Sequence, residues 1–234
     1  MLILYSYQLV DDEEFFKFYE KIKPKLPLSL LGKIESFKFP ADQQRSLIAN
    51  LMVRQFYSKQ LKVNWKEIEF DYNEHDKPSL RNIKEQFFNI SHSGNQVVVA
   101  FSNKELGIDV EKVKGDRRKI AKRFFTPSEI EDMEALKIEE KQVQYFYQLW
   151  TLKESYMKAI GSGMTMSLSS FAFKREMNEF KLAFSSLDMD WHFHSPKWAE
   201  GYYLSVCSKH SDSPKVEKKE LSDIIKLEYV GNNN

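Results

Sequence analysis

The sequence predicts an α+β fold with two pseudo-symmetric lobes, each a small sheet packed on a long helix. Each half of the 234-residue chain contains strand-like segments and one long segment with the three- and four-residue apolar spacing of an amphipathic helix. No low-complexity linker separates the halves. We therefore expect an N-terminal lobe over 1–105 and a C-terminal lobe over 106–234, with a pocket where they meet.

The first lobe is predicted to begin with a strand, LILYSYQLV, and an amphipathic helix from Asp11. A longer helix follows in PADQQRSLIANLMVRQFYSKQL, where apolar residues recur at helical spacing. KEIEFDY and QVVVAFS are predicted strands, and NISHSG leads into the second of them.

The second lobe is predicted to begin with the strand LGIDVEKV and a basic helical stretch, DRRKIAKRFF. In TPSEIEDMEAL, Thr126 is the expected N-cap, Pro127 the first helical residue and Glu129 the partner that completes a capping box. A long helix in QVQYFYQLWTLKESYMKAI is expected to end at Gly161. The closing predicted strands are SFAFK, EFKLAFS, MDWHFHS, GYYLSVCS and IIKLEYV.

Composition narrows the class of protein. A formal net charge of +1 argues against a dedicated nucleic-acid binder. The single cysteine, Cys207, excludes an intramolecular disulfide and a Cys-rich metal site. The apolar N-terminal segment is too short to span a bilayer and lacks the features of a secretory signal. We expect a cytoplasmic protein with no membrane or nucleic-acid partner.

Three acidic side chains carry the main functional signal. Side chains alternate along a strand, so Asp109 and Glu111 share one face; Glu154 and Lys158 lie four apart on one face of the predicted long helix. Solvent-facing acids on an edge strand and an exposed ion pair are the ordinary alternatives. Taken together, three carboxylates without a Cys or His ligand pair favour Mg²⁺, or Mn²⁺, over zinc. Because Mg²⁺ keeps positions for substrate phosphates, a phosphate-bearing substrate is expected.

The segment FNISHSG offers groups that could bind such phosphates. These are the hydroxyls of Ser91 and Ser93, the imidazole of His92 and backbone N–H groups around Gly94. A structural histidine in a turn is the alternative for His92. Further cations that could contact phosphate, or simply be solvated surface charges, are Lys33, Arg45 and Lys77.

These motifs occur in an order that resembles the 4′-phosphopantetheinyl transferase superfamily, in its surfactin-synthetase-activating type. The family signature is G-[IV]-D-[IVA]-E on a strand, followed by W-[ST]-x-K-E-[AS]-x-x-K on a helix, and GIDVE and WTLKESYMK complete both parts. The resemblance extends from QRSLIANLMVR to Met164. It implies two pseudo-symmetric lobes with coenzyme A bound between them.

The resemblance also implies roles for individual residues. Mg²⁺ would be held against the coenzyme A pyrophosphate by Asp109, Glu111 and Glu154. Lys158 would contact the same phosphates, and phosphate contacts from the first lobe would come from Ser91 and His92. The adenosine 3′-phosphate and adenine would be held by Lys33, Arg45, Lys77 and Pro78. Asp76 departs from the family pattern, which often has glycine before Lys-Pro.

The implied reaction is attack by a serine hydroxyl of an apo acyl or peptidyl carrier protein on coenzyme A, which releases adenosine 3′,5′-bisphosphate. The resemblance assigns the general base to Glu129 or to a metal-activated water. The capping box is an equally good explanation for Glu129, because its side chain would then bind the start of its own helix.

A basic segment is the predicted docking site for an acidic carrier helix. Seven basic residues and one acid, Asp116, lie in 112–123. The candidates for docking are Lys112, Lys114, Arg117, Arg118, Ile120 and Phe124; the alternative is a solvated helix that packs its apolar residues into the core. We expect a monomer, since one chain supplies both lobes. Other functions compatible with the acids are a carboxylate-Mg²⁺ phosphoesterase or nuclease, and a non-catalytic module that binds coenzyme A or a carrier.

Overall fold

A computed structural model describes residues 1–176, 179–185 and 190–225. Its strands are β1 (Leu2–Gln8), β2 (Phe70–Tyr72), β3 (Pro78–Leu80), β4 (Phe87–Ser93), β5 (Gln96–Ser102), β6 (Leu106–Lys112), β7 (Ala172–Glu176), β8 (Glu179–Phe184), β9 (His192–His194), β10 (Tyr202–Ser208) and β11 (Lys215–Lys219). Its α-helices are α1 (Asp12–Ile22), α2 (Leu28–Glu35), α3 (Pro40–Leu61), α4 (Ala121–Phe124), α5 (Pro127–Glu134), α6 (Glu139–Ile160) and α7 (Leu221–Ile225). The predicted α+β class is confirmed.

In the first half, helix α3 packs on a sheet with the strand order β11-β1-β5-β4. Proline at the first position favours the helical start, and α3 ends at Lys62, whose φ of 56° is left-handed. Leu47, Leu51 and Tyr57 are buried in the core of this half. Removing such side chains from water supplies most of the energy that holds the helix on the sheet.

In the second half, helix α6 packs on a sheet with the order β6-β10-β9. The contact between α6 and β6 is close enough to require glycine: a Cβ atom on Gly107 would lie 2.1 Å from the backbone oxygen of Ser155. The missing side chain brings the strand and the helix together. The acids on β6 therefore lie close to those on α6.

A third apolar cluster joins the two sheets. Leu4 and Val98 from the first sheet pack with Ile108, Val110 and Val206 from the second. The strand alternation of β6 thus directs its apolar residues to the interior and its acids to the opposite face.

The chain returns to the first sheet near its end, which the sequence analysis did not anticipate. Strand β11 pairs with β1 in parallel, and Leu221 and Ile224 join the core around α3. The predicted lobe boundary at residue 105 therefore does not account for β11 and α7, which belong to the sheet and the core of the first half. IIKLEYV was predicted as a strand, but its first two residues are helical in α7; its remaining residues, 226–230, lie outside the described ones.

Further predictions of local structure need correction. In KEIEFDY only Phe70–Tyr72 is a strand, because Trp65–Glu67 forms a 3₁₀ turn started by the Asn64 side chain. The basic stretch DRRKIAKRFF is a 3₁₀ turn followed by the four-residue helix α4. SHS, predicted to lead into a strand, lies within β4 itself. MDWHFHS is a strand over His192–His194, and its first residue, 189, lies outside the described ones.

Candidate active site

Residues of β4, β6 and α6 meet at the edge where the two halves adjoin. The Lys158 ammonium on α6 donates to Asp109 Oδ1 at 2.7 Å and to Ser91 Oγ at 3.1 Å. The Ser91 hydroxyl donates to the same Asp109 oxygen at 3.0 Å. Asp109 is 5% exposed. A network of charged and polar groups therefore links both halves of the protein at this point.

The site holds more negative than positive charge. Burial and then the charge of Asp109 raise the pKa of Glu154. Burial also raises the pKa of Glu111. A hydrogen bond donated by Ser93 offsets part of this rise. Lys158 lowers the pKa of both glutamates, and Lys114 also lowers that of Glu111, so two cations face three mutually repelling carboxylates. A further positive charge would stabilise the cluster.

The donor set suits a hard divalent cation. Asp109 Oδ2 is buried and has no hydrogen-bond partner among the described residues, which leaves one oxygen for a ligand. Carboxylate oxygens are the ligands that Mg²⁺ prefers. No group of three acidic, His or Cys side chains in the described part of the chain is already arranged to hold an ion. The chemistry fits Mg²⁺, and the predicted ligands Asp109, Glu111 and Glu154 stay a prediction.

The Ser91 hydroxyl is fully occupied within the protein. It accepts a hydrogen bond from the Val110 backbone N–H at 3.2 Å and one from Lys158, and it donates its proton to Asp109. A serine hydroxyl has one proton and two lone pairs, so all its capacity is used. This geometry favours a role for Ser91 in orienting Asp109 over the predicted contact with phosphate.

A cavity of about 270 Å³ lies in the first half, beside this cluster. It gathers four of the predicted cofactor-binding residues, Lys33, Arg45, Pro78 and His92. Partial burial, and then the neighbouring Arg45 and Lys158, lower the pKa of His92. The cavity walls also include side chains that the sequence analysis missed, because no motif marks them: Phe37, Asn50, Phe70 and Tyr72.

Arg45 is fixed by contacts to the turn after β4. Its guanidinium donates twice to the backbone oxygen of Gly94, at 3.0 and 2.8 Å, and forms an ion pair with Asp42. Arg45 also lines the cavity, and these contacts hold its side chain in place there.

The Lys77 ammonium is bonded to backbone carbonyl oxygens, and its predicted contact with coenzyme A stays a prediction. The ammonium donates to Ala159 O at 2.7 Å and Leu106 O at 3.4 Å, where it satisfies a carbonyl at the C-terminal end of α6. Burial lowers the pKa of Lys77 to about 8. Asp76, the departure from the family pattern, has a φ of 59°, a left-handed conformation in which glycine is favoured.

The buried Glu129 carboxylate has two hydrogen-bond donors and one ion-pair partner. It accepts from the Thr126 N–H at 2.8 Å and the Phe173 N–H at 2.8 Å, and it pairs with the Lys153 ammonium at 2.9 Å. Both side chains of the ion pair are fully buried. The capping box is present as predicted. This geometry favours the helix-cap interpretation over that of a base.

The predicted docking residues divide into exposed and half-buried ones. Arg118 is tied to Asp116 at 2.8 Å and to Gln142, and the Phe124 ring packs edge-on against Trp150, with 5.3 Å between the ring centroids. Ile120 is 37% exposed. The predicted docking cations whose side chains are exposed are Lys112, Lys114 and Arg117.

The acidic cluster lies near a cavity whose walls hold two cations, Lys33 and Arg45, together with two acids, Asp42 and Asp76. The family model of the 4′-phosphopantetheinyl transferase superfamily matches residues 105–207, and that of the 4′-phosphopantetheinyl transferase N-terminal region matches residues 19–104. The chain belongs to the 4′-phosphopantetheinyl transferase superfamily.

Two bacterial relatives agree with this assignment. The chain is 33% identical over 217 residues to the 4′-phosphopantetheinyl transferase Sfp of Bacillus subtilis, covering 90% of this chain and 92% of that protein. It is 34% identical over 188 residues to the 4′-phosphopantetheinyl transferase gsp of Aneurinibacillus migulanus, covering 80% and 78%. A solved holo-[acyl-carrier-protein] synthase from Thermotoga maritima is 21% identical, with a TM-score of 0.38 over 44% of this chain and 61% of that one.

Among the residues that the structure describes, no helix combines the length and the apolar character needed to cross a bilayer.

Proposed function

We propose that the protein transfers the 4′-phosphopantetheine group of coenzyme A to a serine hydroxyl of an apo acyl or peptidyl carrier protein, with release of adenosine 3′,5′-bisphosphate. Membership of the superfamily supports the reaction class. The observation that carries the proposal is the Asp109–Lys158–Ser91 network, in which both parts of the family signature meet a residue of the first half.

The cavity of the first half would bind the adenosine end of coenzyme A. Lys33, Arg45 and His92 supply positive charge or hydrogen-bond donors for its 3′-phosphate, and Phe70 and Tyr72 supply aromatic surface for the base. His92 has a lowered pKa in the free protein, and a bound phosphate would raise that pKa again by favouring the imidazolium. Lys77 would act indirectly, because its bond to Ala159 O holds the antiparallel pair β2–β3 against α6.

The acidic cluster would hold Mg²⁺ through Asp109, Glu111 and Glu154. Bound there, the cation would neutralise the pyrophosphate as charge develops on it. Lys158 is already held beside Asp109 and could move to the phosphates once a cation takes its place at that carboxylate. Electrostatic stabilisation of this kind is usually the largest catalytic contribution in phosphoryl transfer.

The carrier would approach over the basic segment that follows β6. Lys112, Lys114 and Arg117 would attract an acidic helix, and exposed Ile120 would contact its apolar side. The segment begins at the end of β6, directly after Glu111, so a docked serine would lie near the acidic cluster. We propose that the protein acts as a monomer in the cytoplasm.

Mass spectrometry of an apo carrier protein incubated with coenzyme A, Mg²⁺ and the purified protein tests the function. We expect the carrier to gain one phosphopantetheine and to gain none with the Asp109→Asn variant. An unmodified carrier with intact coenzyme A would favour a non-catalytic module. Hydrolysed coenzyme A without carrier modification would favour a phosphoesterase.

A further inference from the structure

Strands β4 and β6 adjoin as edge strands of different sheets. In the first sheet β4 lies at one end of the order β11-β1-β5-β4, and in the second β6 begins the order β6-β10-β9. The backbone N–H groups of an edge strand need partners when they are buried. On β6 these partners come from side chains of β4.

Three alternate residues of β4 accept hydrogen bonds from three alternate residues of β6. Asn89 Oδ1 accepts from the Ile108 N–H at 2.9 Å, and Ser91 Oγ accepts from the Val110 N–H at 3.2 Å. Ser93 Oγ accepts from the Lys112 N–H at 3.1 Å. We call these three contacts the side-chain ladder.

The serines of the side-chain ladder also reach the carboxylates of the second half. Ser93 Oγ donates to Glu111 Oε2 at 2.8 Å, as Ser91 Oγ does to Asp109. Asn89 takes part in the ladder through its bond to the Ile108 N–H, without a hydrogen bond to either of these acids. Because the Lys112 N–H points at one lone pair of Ser93, the hydroxyl proton is directed towards Glu111.

We propose that Ser93 is a positioning residue, which sets the orientation of the Glu111 carboxylate for the divalent cation from the opposite half of the protein. The inference rests on the proposed role of Glu111 in holding Mg²⁺. Partners that orient metal ligands usually contribute about 10- to 100-fold to metal affinity. Ser91 has the same geometry but also contacts Lys158, so Ser93 is the cleaner residue to test.

The alternative is that Ser93 only satisfies a backbone N–H. Asn89 separates the two roles, because it satisfies the Ile108 N–H in the same ladder. Asn89→Ala therefore removes a ladder contact alone, whereas Ser93→Ala removes a ladder contact and the bond to Glu111. Ser93→Thr keeps a hydroxyl at the same position on a strand, where threonine is favoured.

The test measures the Mg²⁺ concentration for half-maximal carrier modification and, by calorimetry, the factor by which Mg²⁺ tightens coenzyme A binding. For Ser93→Ala we expect about a 10-fold higher half-maximal Mg²⁺ concentration, a smaller gain in coenzyme A affinity and an unchanged KM for the carrier. Ser93→Thr should resemble the wild type. Asn89→Ala should lower the melting temperature and leave the Mg²⁺ requirement unchanged.

The outcomes separate this proposal from the function itself. A wild-type protein that neither needs Mg²⁺ nor binds coenzyme A more tightly with it would overturn the proposed metal role. If the wild type does depend on Mg²⁺, an unchanged requirement in Ser93→Ala would overturn the role of Ser93 alone. An equal shift in Asn89→Ala, or a shift in Ser93→Thr as large as in Ser93→Ala, would also overturn it.

Discussion

Two regions of this protein bury carboxylates beside a lysine, and they differ in how completely the charges are compensated. Glu129 has a fully buried lysine, Lys153, and two backbone N–H donors. Lys153 in turn donates to the backbone oxygens of Leu168 and Phe171. Asp109 shares its lysine, Lys158, with two further acids whose pKa values are raised.

The difference indicates which carboxylates serve stability and which serve function. A buried ion pair with every partner present resists change, because removing one member leaves a charge without compensation. A cluster with excess negative charge destabilises the folded protein. Such clusters are typical of functional sites, where a bound cation can supply the compensating positive charge. Four sets of variants test this comparison, beginning with the largest expected effect.

Glu129→Gln is expected to lower the free energy of unfolding by about 3–5 kcal/mol, because it leaves the Lys153 ammonium buried without a counter-charge. Urea denaturation measures this, with exposed Glu131→Gln on the same helix as the control. The kcat per folded molecule should stay near the wild-type value. A stable variant whose kcat falls by about 10²- to 10⁴-fold would instead identify Glu129 as the base.

Glu154→Gln is expected to have the opposite profile. Removing one of three repelling carboxylates should leave the free energy of unfolding unchanged or raise it slightly. Carrier modification should slow by at least about 100-fold, since a proposed metal ligand is lost. Glu140→Gln, an exposed change on the same helix, is the control for both measurements. A destabilised variant with normal turnover would place Glu154 with Glu129 as a structural acid.

Lys77 is a half-buried lysine whose hydrogen bonds go to carbonyl oxygens. Its pKa is lowered from 10.5 to about 8, so between those pH values the unfolded chain binds more protons than the folded protein. Stability should therefore rise as pH increases from about 8 to about 10.5, by about 3 kcal/mol at most. Below pH 8 both states are protonated and Lys77 adds no further slope.

Urea denaturation at pH 8 and pH 10 checks this, with Lys77→Met as the comparison. Other groups titrate equally in both proteins, so the difference between their slopes isolates Lys77. Parallel stability profiles for the wild type and Lys77→Met would show that the ammonium is not half-buried as described.

The smallest expected effect concerns the docking segment. Arg117→Glu should raise the KM for the carrier about two- to five-fold, the size expected for an exposed charge pair. The KM for coenzyme A should stay constant, and added salt should reduce the difference. Lys21→Glu, on α1, is the control. Arg118→Glu should mainly lower stability, because it breaks the contact with Asp116. Equal KM values for Arg117→Glu and the wild type would exclude this part of the docking surface.

The signature motifs allowed much of the second half to be predicted. Alternation along LGIDVEKV put Asp109 and Glu111 on one strand face, and helical spacing put Glu154 and Lys158 on one helix face. That the two faces meet was implied only by the family resemblance, and the structure pairs Lys158 with Asp109. The capping box at Thr126 was also readable, because it depends on residues three apart. Such patterns can be predicted from the sequence because each depends on residues within a single helix or strand.

Contacts between distant segments could not be predicted in the same way. Nothing in the sequence of Lys215–Lys219 indicates that it pairs with β1, because strand pairing depends on the whole fold. The hydrogen bond of Ser93 to Glu111 likewise joins residues 18 positions apart, and that of Lys77 to Ala159 joins residues 82 positions apart. Lys153 lies within the signature motif, but its burial follows from packing around Phe171.

The most direct test of the central claim is the rate of carrier modification by the wild-type protein as a chelator removes divalent cations and Mg²⁺ is added back. If the excess negative charge of Asp109, Glu111 and Glu154 requires a divalent cation, transfer should stop with chelator and return with Mg²⁺. Transfer that continues at full rate in excess chelator would contradict this account.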